Sequence, residues 1–174
     1  MNNNKLIFTL RYENSFNRFL DAFDSNDMVC YVSFTKTYGS LVEALKDEKR
    51  YDEKKFYCID FATPLIIAKP EKQKQCTFMP VVPDFKKLQI EIQNAVSNGY
   101  TTVILDSLST ILQLNEFSTD IRAFIQSIIK TLDKCNGKII TSCYSKDRGF
   151  VVEADIHTLF GNYVSQVVPL GLGE

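Results

Sequence analysis

Apolar runs of strand length alternate with amphipathic helical periods along almost the whole chain. Strand-like runs are predicted at residues 5–10, 28–34, 56–61, 101–105, 138–143 and 163–168. Between most of them, apolar residues recur at the spacing of one face of a helix, most strongly at residues 121–132. Strands that alternate with helices connect through right-handed crossovers. The sequence therefore predicts a three-layer α/β/α fold, with a mostly parallel sheet covered on both faces.

The predicted organisation is a single domain that spans residues 1–174. No internal repeat and no linker divides the chain of 174 residues, and this length is typical of one domain. Residues 63–83 hold four of the five prolines together with a polar stretch. We therefore predict that residues 63–83 form the longest loop and the most mobile element.

The charge balance argues against several classes of partner. The chain has 20 Lys+Arg and 21 Asp+Glu, which gives a formal net charge of −1. We expect no nucleic-acid ligand and no membrane surface as partner. The chain has no apolar run near the length of about 18 residues that a membrane span needs, and its N-terminus lacks the pattern of a signal peptide. We therefore expect a cytoplasmic protein.

The five cysteines and one histidine do not form a metal-binding pattern. No Cys-x-x-Cys spacing occurs, and His157 is the only histidine, so we expect no metal site. Cys30, Cys58 and Cys143 lie within strand-like apolar runs. Their simplest interpretation is as buried apolar side chains in a reducing compartment.

Polar residues at the carboxyl ends of the predicted strands are the candidates for a binding site, because ligands of open parallel sheets bind there. Asn14 and Ser15 follow the first strand, and Asp60 belongs to the third. Asp106 and Ser107 follow the fourth strand directly. This last pair lies in the most informative segment of the chain.

The segment TTVILDSLSTIL, residues 101–112, resembles the Walker B strand of RecA-like ATPases, especially those of the KaiC branch. The segment VCYVSFTKTYGSLVEAL, residues 29–45, is similar to the second strand and helix of KaiC-like domains, and ADIHTLFGNYVSQVVPL, residues 154–170, approximates their last helix and strand. The resemblance implies a RecA-like sheet with the strand order 3-2-4-5-1-6. It also implies that Asp106 corresponds to the aspartate that orients a Mg²⁺-bound water beside the nucleotide phosphates.

Two parts of an ATPase site depart from this resemblance. A P-loop, GxxxxGK[ST], binds phosphate through backbone N–H groups that glycine allows to approach. The corresponding segment LRYENSFNRFL, residues 10–20, has no glycine, and the first of the 7 glycines in the chain is Gly39. The glutamate pair that follows the second strand of KaiC-like domains includes the general base, and Thr35 and Lys36 stand there in this chain.

We therefore expect a RecA/KaiC-like domain that does not hydrolyse nucleotide, holds no cofactor and has no catalytic residues. Its expected role is that of a regulatory or scaffold module that acts through protein contacts, including contacts between copies of itself. Asp106, Ser107, Asn14 and Ser15 are the residues that we assign to a vestigial nucleotide site.

Two other functions fit the same residues. The first is a switch that binds a nucleotide or another anion without hydrolysis, with Asn14, Ser15 and the helix N-terminus after them in place of a P-loop. The second is a small Mg²⁺-dependent α/β enzyme whose metal is held by Asp60, Asp106 and Asp147. The predicted strand order places the second strand between Asp60 and Asp106, which argues against a direct carboxylate pair.

Overall fold

The computed structural model describes residues 6–11, 24, 26–49, 52–80, 84–108, 110–111, 118–144 and 166–168, with the side chains left out at 6–11, 118–122, 142–144 and 166–168. The strands are β1 (Leu6–Arg11), β2 (Val29–Ser33), β3 (Phe56–Asp60), β4 (Cys76–Phe78), β5 (Thr102–Asp106), β6 (Lys138–Tyr144) and β7 (Gln166–Val168). The helices are α1 (Tyr38–Asp47), α2 (Thr63–Ile66), α3 (Phe85–Ser97) and α4 (Ser118–Asp133).

The strands of the described residues form one sheet in the order β4-β3-β2-β5-β6-β1-β7, and every neighbouring pair is parallel. Six of these strands are the six that the sequence predicts. Their order, 3-2-4-5-1-6 in the predicted numbering, is confirmed. The seventh strand, β4, extends the sheet beyond β3.

Helices cover both faces of the sheet, which confirms the three-layer architecture. On one face, α3 and α4 pack against the sheet through Leu88, Ile92, Ala95, Val96, Phe124, Ile125, Ile128, Ile129 and Leu132. On the other face, α1 contributes Leu41 and Leu45. The central strands β2 and β5 are buried at every position. Burial on both faces explains why their sequences are continuously apolar rather than alternating.

Side-chain caps set where α1 and α3 begin, and a glycine follows the end of α3. The hydroxyl of Thr37 accepts a hydrogen bond from a backbone N–H in the first turn of α1. The carboxylate of Asp84 does the same for two N–H groups of α3. Gly99, just beyond α3, has a φ of +96°, in the left-handed region that favours glycine. A glycine in this conformation ends α3 directly after its cap residue, Asn98.

The prediction that residues 63–83 form one long loop is wrong. Residues 63–66 form helix α2, in which Pro64 occupies the first turn, a position that suits its fixed φ. Residues 76–78 form β4, which pairs with β3 so that Cys76 lies beside Cys58. Four-residue and three-residue elements are too short to show a hydrophobic period, and this is why the sequence pattern did not reveal them.

The helix expected after Asn14 and Ser15, and the last helix that the resemblance implies within residues 154–170, lie outside the described residues. Among the residues that are described, no helix combines the length and the apolar character needed to cross a lipid bilayer.

Candidate functional site

Three buried polar side chains form a row at the carboxyl edge of the central strands. Ser33, at the end of β2, is the register partner of Asp60 on β3 and of Asp106 on β5. Residues in register on parallel strands point to the same face, and neighbouring strands are about 4.8 Å apart. Since β2 lies between them, the two carboxylates are two strand spacings apart, as the sequence predicted. All three side chains are fully buried.

Asp106 is bound by a tyrosine of the neighbouring strand. The hydroxyl of Tyr31, on β2, donates a hydrogen bond of 2.8 Å to Oδ2 of Asp106. Tyr31 is 2% exposed and Asp106 is 0% exposed. Burial of a carboxylate costs free energy unless hydrogen bonds replace its water, and the tyrosine hydroxyl supplies one such bond. The carboxylate is thus enclosed by protein at the position that the resemblance to a Walker B strand singles out.

Ser107 caps the turn that follows β5. The peptide bond between Asp106 and Ser107 is cis. The Ser107 hydroxyl accepts a hydrogen bond of 3.2 Å from the Thr110 N–H and lies 3.0 Å from the Thr110 hydroxyl. Its carbonyl accepts a hydrogen bond from the Ile111 N–H at 3.2 Å. The Ser107 side chain therefore has the structural role of a helix-cap serine.

Thr141 on β6 ties the same turn to the sheet. Its hydroxyl donates to the carbonyl of Leu105 at 2.8 Å and accepts from the N–H of Leu108 at 3.2 Å. Thr141, Tyr31 and Ser33 are not among the site residues predicted from the sequence. Their one sequence signal is a polar group within an otherwise apolar strand. For Tyr31 and Thr141 the interstrand register decides what that group contacts.

The turn after β2 brings Thr35 and Lys36 to the same edge of the sheet. The Ser33 hydroxyl donates to the Lys36 carbonyl at 2.6 Å and accepts from the Lys36 N–H at 3.1 Å. Thr35 is exposed and Lys36 is half-buried. The Phe34 N–H donates to the Asp106 carbonyl at 3.3 Å, so this turn lies directly beside the end of β5. The two positions where KaiC-like domains carry glutamates are thus next to Asp106 and carry no carboxylate.

Asp60 connects the beginnings of two helices. Its Oδ2 accepts a hydrogen bond of 2.7 Å from the N–H of Tyr38, the first residue of α1. Its Oδ1 accepts from the N–H groups of Ala62 at 2.7 Å and Thr63 at 2.9 Å, at the start of α2. The Thr63 hydroxyl also donates to Oδ2. Four donors match the approximate acceptor capacity of a carboxylate, so Asp60 has a structural role.

The carboxylates proposed for a Mg²⁺ enzyme are not assembled into a site in the described part of the chain. Asp60 is engaged by four donors of its own surroundings. Asp147 lies outside the described residues. Within them, no group of three or more His, Cys, Asp or Glu side chains is arranged to hold a metal ion.

Asn14 and Ser15, the predicted substitutes for a P-loop, also lie outside the described residues. The structure therefore places two of the four predicted site residues, Asp106 and Ser107. It brings them together with Tyr31 from β2 and Thr141 from β6.

An aromatic pair closes the opposite face at this edge. The rings of Phe34 and Phe61, which follow β2 and β3, stack with centroids 4.6 Å apart and an interplanar angle of 16°. Both are buried in the core that α3 and α4 cover. The carboxylates of Asp60 and Asp106 lie on the other face, which α1 covers.

The strand cysteines Cys30 and Cys58 are buried, as predicted. Burial raises the pKa of the Cys30 thiol, and the nearby Glu91 carboxylate raises it further. Burial, followed by the contact with Cys76, raises the pKa of the Cys58 thiol well above its usual value. The raised pKa disfavours the thiolate, which is the reactive form of cysteine. The side chain of Cys143 lies outside the described set.

No protein-family model matches the chain, and no curated protein matches it in sequence. Among solved structures, the fold is similar to that of a KaiC-like protein from the hyperthermophilic archaeon Pyrococcus horikoshii OT3, with a TM-score of 0.63 and 13% sequence identity. The match covers 98% of this chain and 74% of that protein. At this identity the likeness concerns the fold, which is RecA/KaiC-like.

Proposed function

We propose that this RecA/KaiC-like domain does not hydrolyse nucleotide and acts as a regulatory or scaffold module through protein contacts. The observation that carries the proposal is the hydrogen bond from Tyr31 to Asp106. Phosphoryl transfer needs an aspartate that faces a hydrated Mg²⁺ at the end of its strand. Here that carboxylate has no exposed surface and accepts a hydrogen bond from a buried tyrosine.

The turn after β2 supports the proposal independently. Activation of the attacking water requires a base within hydrogen-bond reach. The exposed Thr35 and the half-buried Lys36 occupy the positions of the KaiC-like glutamates. A hydroxyl and an ammonium group do not accept a proton from water at neutral pH.

The sequence of the segment that corresponds to the P-loop supports the same conclusion. Residues 10–20 contain no glycine and no Gly-Lys-Thr sequence, and Glu13 adds a negative charge to this segment. Stabilisation of the phosphate charge supplies most of the catalysis in phosphoryl transfer. The chain keeps the RecA-like strand order, but its sequence lacks the phosphate-binding loop and the general base. Such a domain can offer surfaces for protein contacts without a catalytic centre.

The test is a measurement of phosphate release from ATP and Mg²⁺ by the purified chain. We expect no release above that of the buffer for the wild type and for Asp106→Asn. Asp84→Asn is the matched control, because Asp84 caps α3 on the surface. Release by the wild type that persists in Asp84→Asn and disappears in Asp106→Asn would overturn the proposal.

Titration calorimetry with ATP and ADP separates a scaffold from a nucleotide-binding switch. A scaffold gives no heat beyond dilution. Saturable heat at a stoichiometry of one would replace the scaffold with the binding switch, even where no phosphate is released.

A further inference from the structure

Three of the four large hydrophobic side chains that are exposed in the described residues are consecutive. They are Leu65 at 60%, Ile66 at 75% and Ile67 at 52% exposure, and the fourth is Ile90 on α3. Single exposed aliphatic residues are ordinary, whereas adjoining ones on a monomer surface indicate an interaction site. The exposed triad lies on α2 and the residue after it, beyond the carboxyl end of β3.

The backbone that presents the triad is held from the buried side. The Asp60 carboxylate binds the N–H groups of Ala62 and Thr63 and the Thr63 hydroxyl. The Ile67 N–H donates to the Thr63 carbonyl at 2.8 Å, which closes the helical turn. The aliphatic side chains are thus presented in a defined conformation, and a preorganised surface loses less entropy when it binds.

Cationic side chains follow the triad directly. Lys69, Lys72 and Lys74 are exposed, and Glu71 is the one acidic residue among residues 64–75. This stretch carries a net charge of +2 in a chain whose total is −1. We call Leu65, Ile66, Ile67, Lys69, Lys72 and Lys74 the α2 surface.

From this arrangement we infer that the α2 surface binds a partner protein through an acidic segment that also carries apolar side chains. The aliphatic triad buries the partner's apolar groups, and the lysines pair with its carboxylates. Complementary charge sets the orientation and the rate of such an encounter, while the apolar anchors supply most of the affinity. The inference rests on the proposed function, because it names the surface and the kind of partner for that interaction module.

Two other occupants fit the surface less well. A membrane-binding segment carries clusters of about four to eight basic residues and aromatic anchors, whereas residues 64–75 have three lysines and no aromatic residue. A second copy of this chain would bring the same lysines against each other in a two-fold contact. An acidic partner segment satisfies both the apolar and the charged half of the α2 surface.

The experiment selects short peptides from a random display library on the full chain. We expect the enriched peptides to combine Asp or Glu with apolar residues. Their affinity should fall about tenfold or more in the Leu65→Ser, Ile66→Ser, Ile67→Ser triple variant. It should fall about threefold or more in the Lys69→Gln, Lys72→Gln, Lys74→Gln variant and weaken with added salt. Ile90→Ser is the matched control and should bind within about twofold of the wild type.

Enriched peptides that lack acidic residues, or that bind the triple serine variant as tightly as the wild type, would overturn the inference. Sedimentation of the chain with vesicles of phosphatidylcholine and phosphatidylserine would also overturn it. A wild-type dimer that is absent from the triple serine variant would do the same. Circular dichroism of both variants checks that they are folded. Phosphate release is a separate readout: ATP hydrolysis that depends on Asp106 refutes the proposed function and leaves the peptide result standing. A selection that enriches no peptide refutes the inference about the α2 surface and does not affect the proposed absence of hydrolysis.

Discussion

The Tyr31 hydroxyl donates a hydrogen bond of 2.8 Å to Oδ2 of Asp106, across the boundary between β2 and β5 and over 75 positions of sequence. Both side chains are buried on the face of the sheet that α1 covers. The resemblance assigns the Asp106 carboxylate to nucleotide chemistry. In this fold the same carboxylate connects two central strands. The loss of this bond should therefore change the stability of the fold.

Tyr31→Phe should lower the free energy of unfolding by about 1–3 kcal/mol, because it removes a donor from a buried carboxylate without removing the ring. Urea unfolding of the variant measures the change. Tyr57→Phe is the matched control: the Tyr57 hydroxyl pairs with the Thr77 hydroxyl at 2.6 Å in a half-buried position, so its loss should cost less than about 1 kcal/mol. Equal losses of unfolding free energy in the two variants would show that the hydrogen bond to Asp106 stabilises the fold no more than the half-buried one.

Asp60→Asn should destabilise the fold by about 3 kcal/mol or more. An asparagine amide replaces one acceptor oxygen with a donor, so at least one of the buried N–H or O–H donors around Asp60 loses its acceptor. Asp84→Asn provides the comparison, since asparagine caps an exposed helix about as well as aspartate, and its change should stay within about 0.5 kcal/mol. If both variants unfold at the wild-type urea concentration, Asp60 does not hold the starts of α1 and α2 together.

Stability should decrease as the pH rises above about 8.5, the usual pKa of a cysteine in an unfolded chain. Burial raises the pKa of Cys30 and Cys58 in the folded state, so the folded chain keeps protons that the unfolded chain loses. The contribution of each thiol is fully present below its unfolded pKa and falls by about 1.4 kcal/mol per pH unit between its unfolded and its folded pKa. Urea unfolding at several pH values measures the slope.

Cys30→Ala should make the slope of stability with pH shallower at alkaline pH, whatever its effect at neutral pH. Cys135→Ala, at an exposed position after α4, is the control and should leave the slope as in the wild type. A Cys30→Ala slope identical to that of the wild type would show that burial of this thiol does not contribute to the pH dependence.

Gly137→Ala should destabilise the protein by about 1–3 kcal/mol, the usual cost of overpacking. A Cβ at residue 137 would lie 2.5 Å from the Thr101 carbonyl oxygen and 2.6 Å from Cδ2 of Leu132. The oxygen belongs to the backbone and accepts the Lys138 N–H at 2.9 Å, so it cannot move aside freely. Thermal unfolding measures the effect.

Gly39→Ala is the opposite case and the control for Gly137→Ala. A Cβ on Gly39 meets nothing within 4 Å, and Gly39 lies in the first turn of α1, where alanine is the better helix former. We expect an unchanged or slightly higher melting temperature. A loss of stability as large as that of Gly137→Ala would mean that the two sites differ less in packing than their geometry indicates.

Six strands and the alternation of strands with helices could be predicted from the sequence, because both are local properties. Buried parallel strands are continuously apolar, and amphipathic helices repeat every 3.6 residues. The boundaries of β2 and β3 differ from the predicted ones by at most one residue at each end. The strand order followed from the resemblance to KaiC-like domains rather than from the periodicity.

The short elements α2 and β4 could not be predicted, because elements of three or four residues carry no period of their own. β4 forms where its N–H and carbonyl groups meet the edge of β3, and α2 begins where Asp60 supplies acceptors for its first N–H groups. β4 depends on a strand that is distant in the chain, and α2 depends on a carboxylate that is near in the chain but buried in the sheet.

The sequence by itself determined the fold class, the elements that build it and the location of Asp106 at the end of a central strand. Only the tertiary structure decided what the polar residues at that edge do. Asp60 accepts hydrogen bonds from the first N–H groups of two helices, and Asp106 accepts one from the Tyr31 hydroxyl. The physical reason is that the bonds of Tyr31 to Asp106 and of Tyr38 to Asp60 join segments that are distant in the chain. The register between strands brings such segments together, and no local pattern records it.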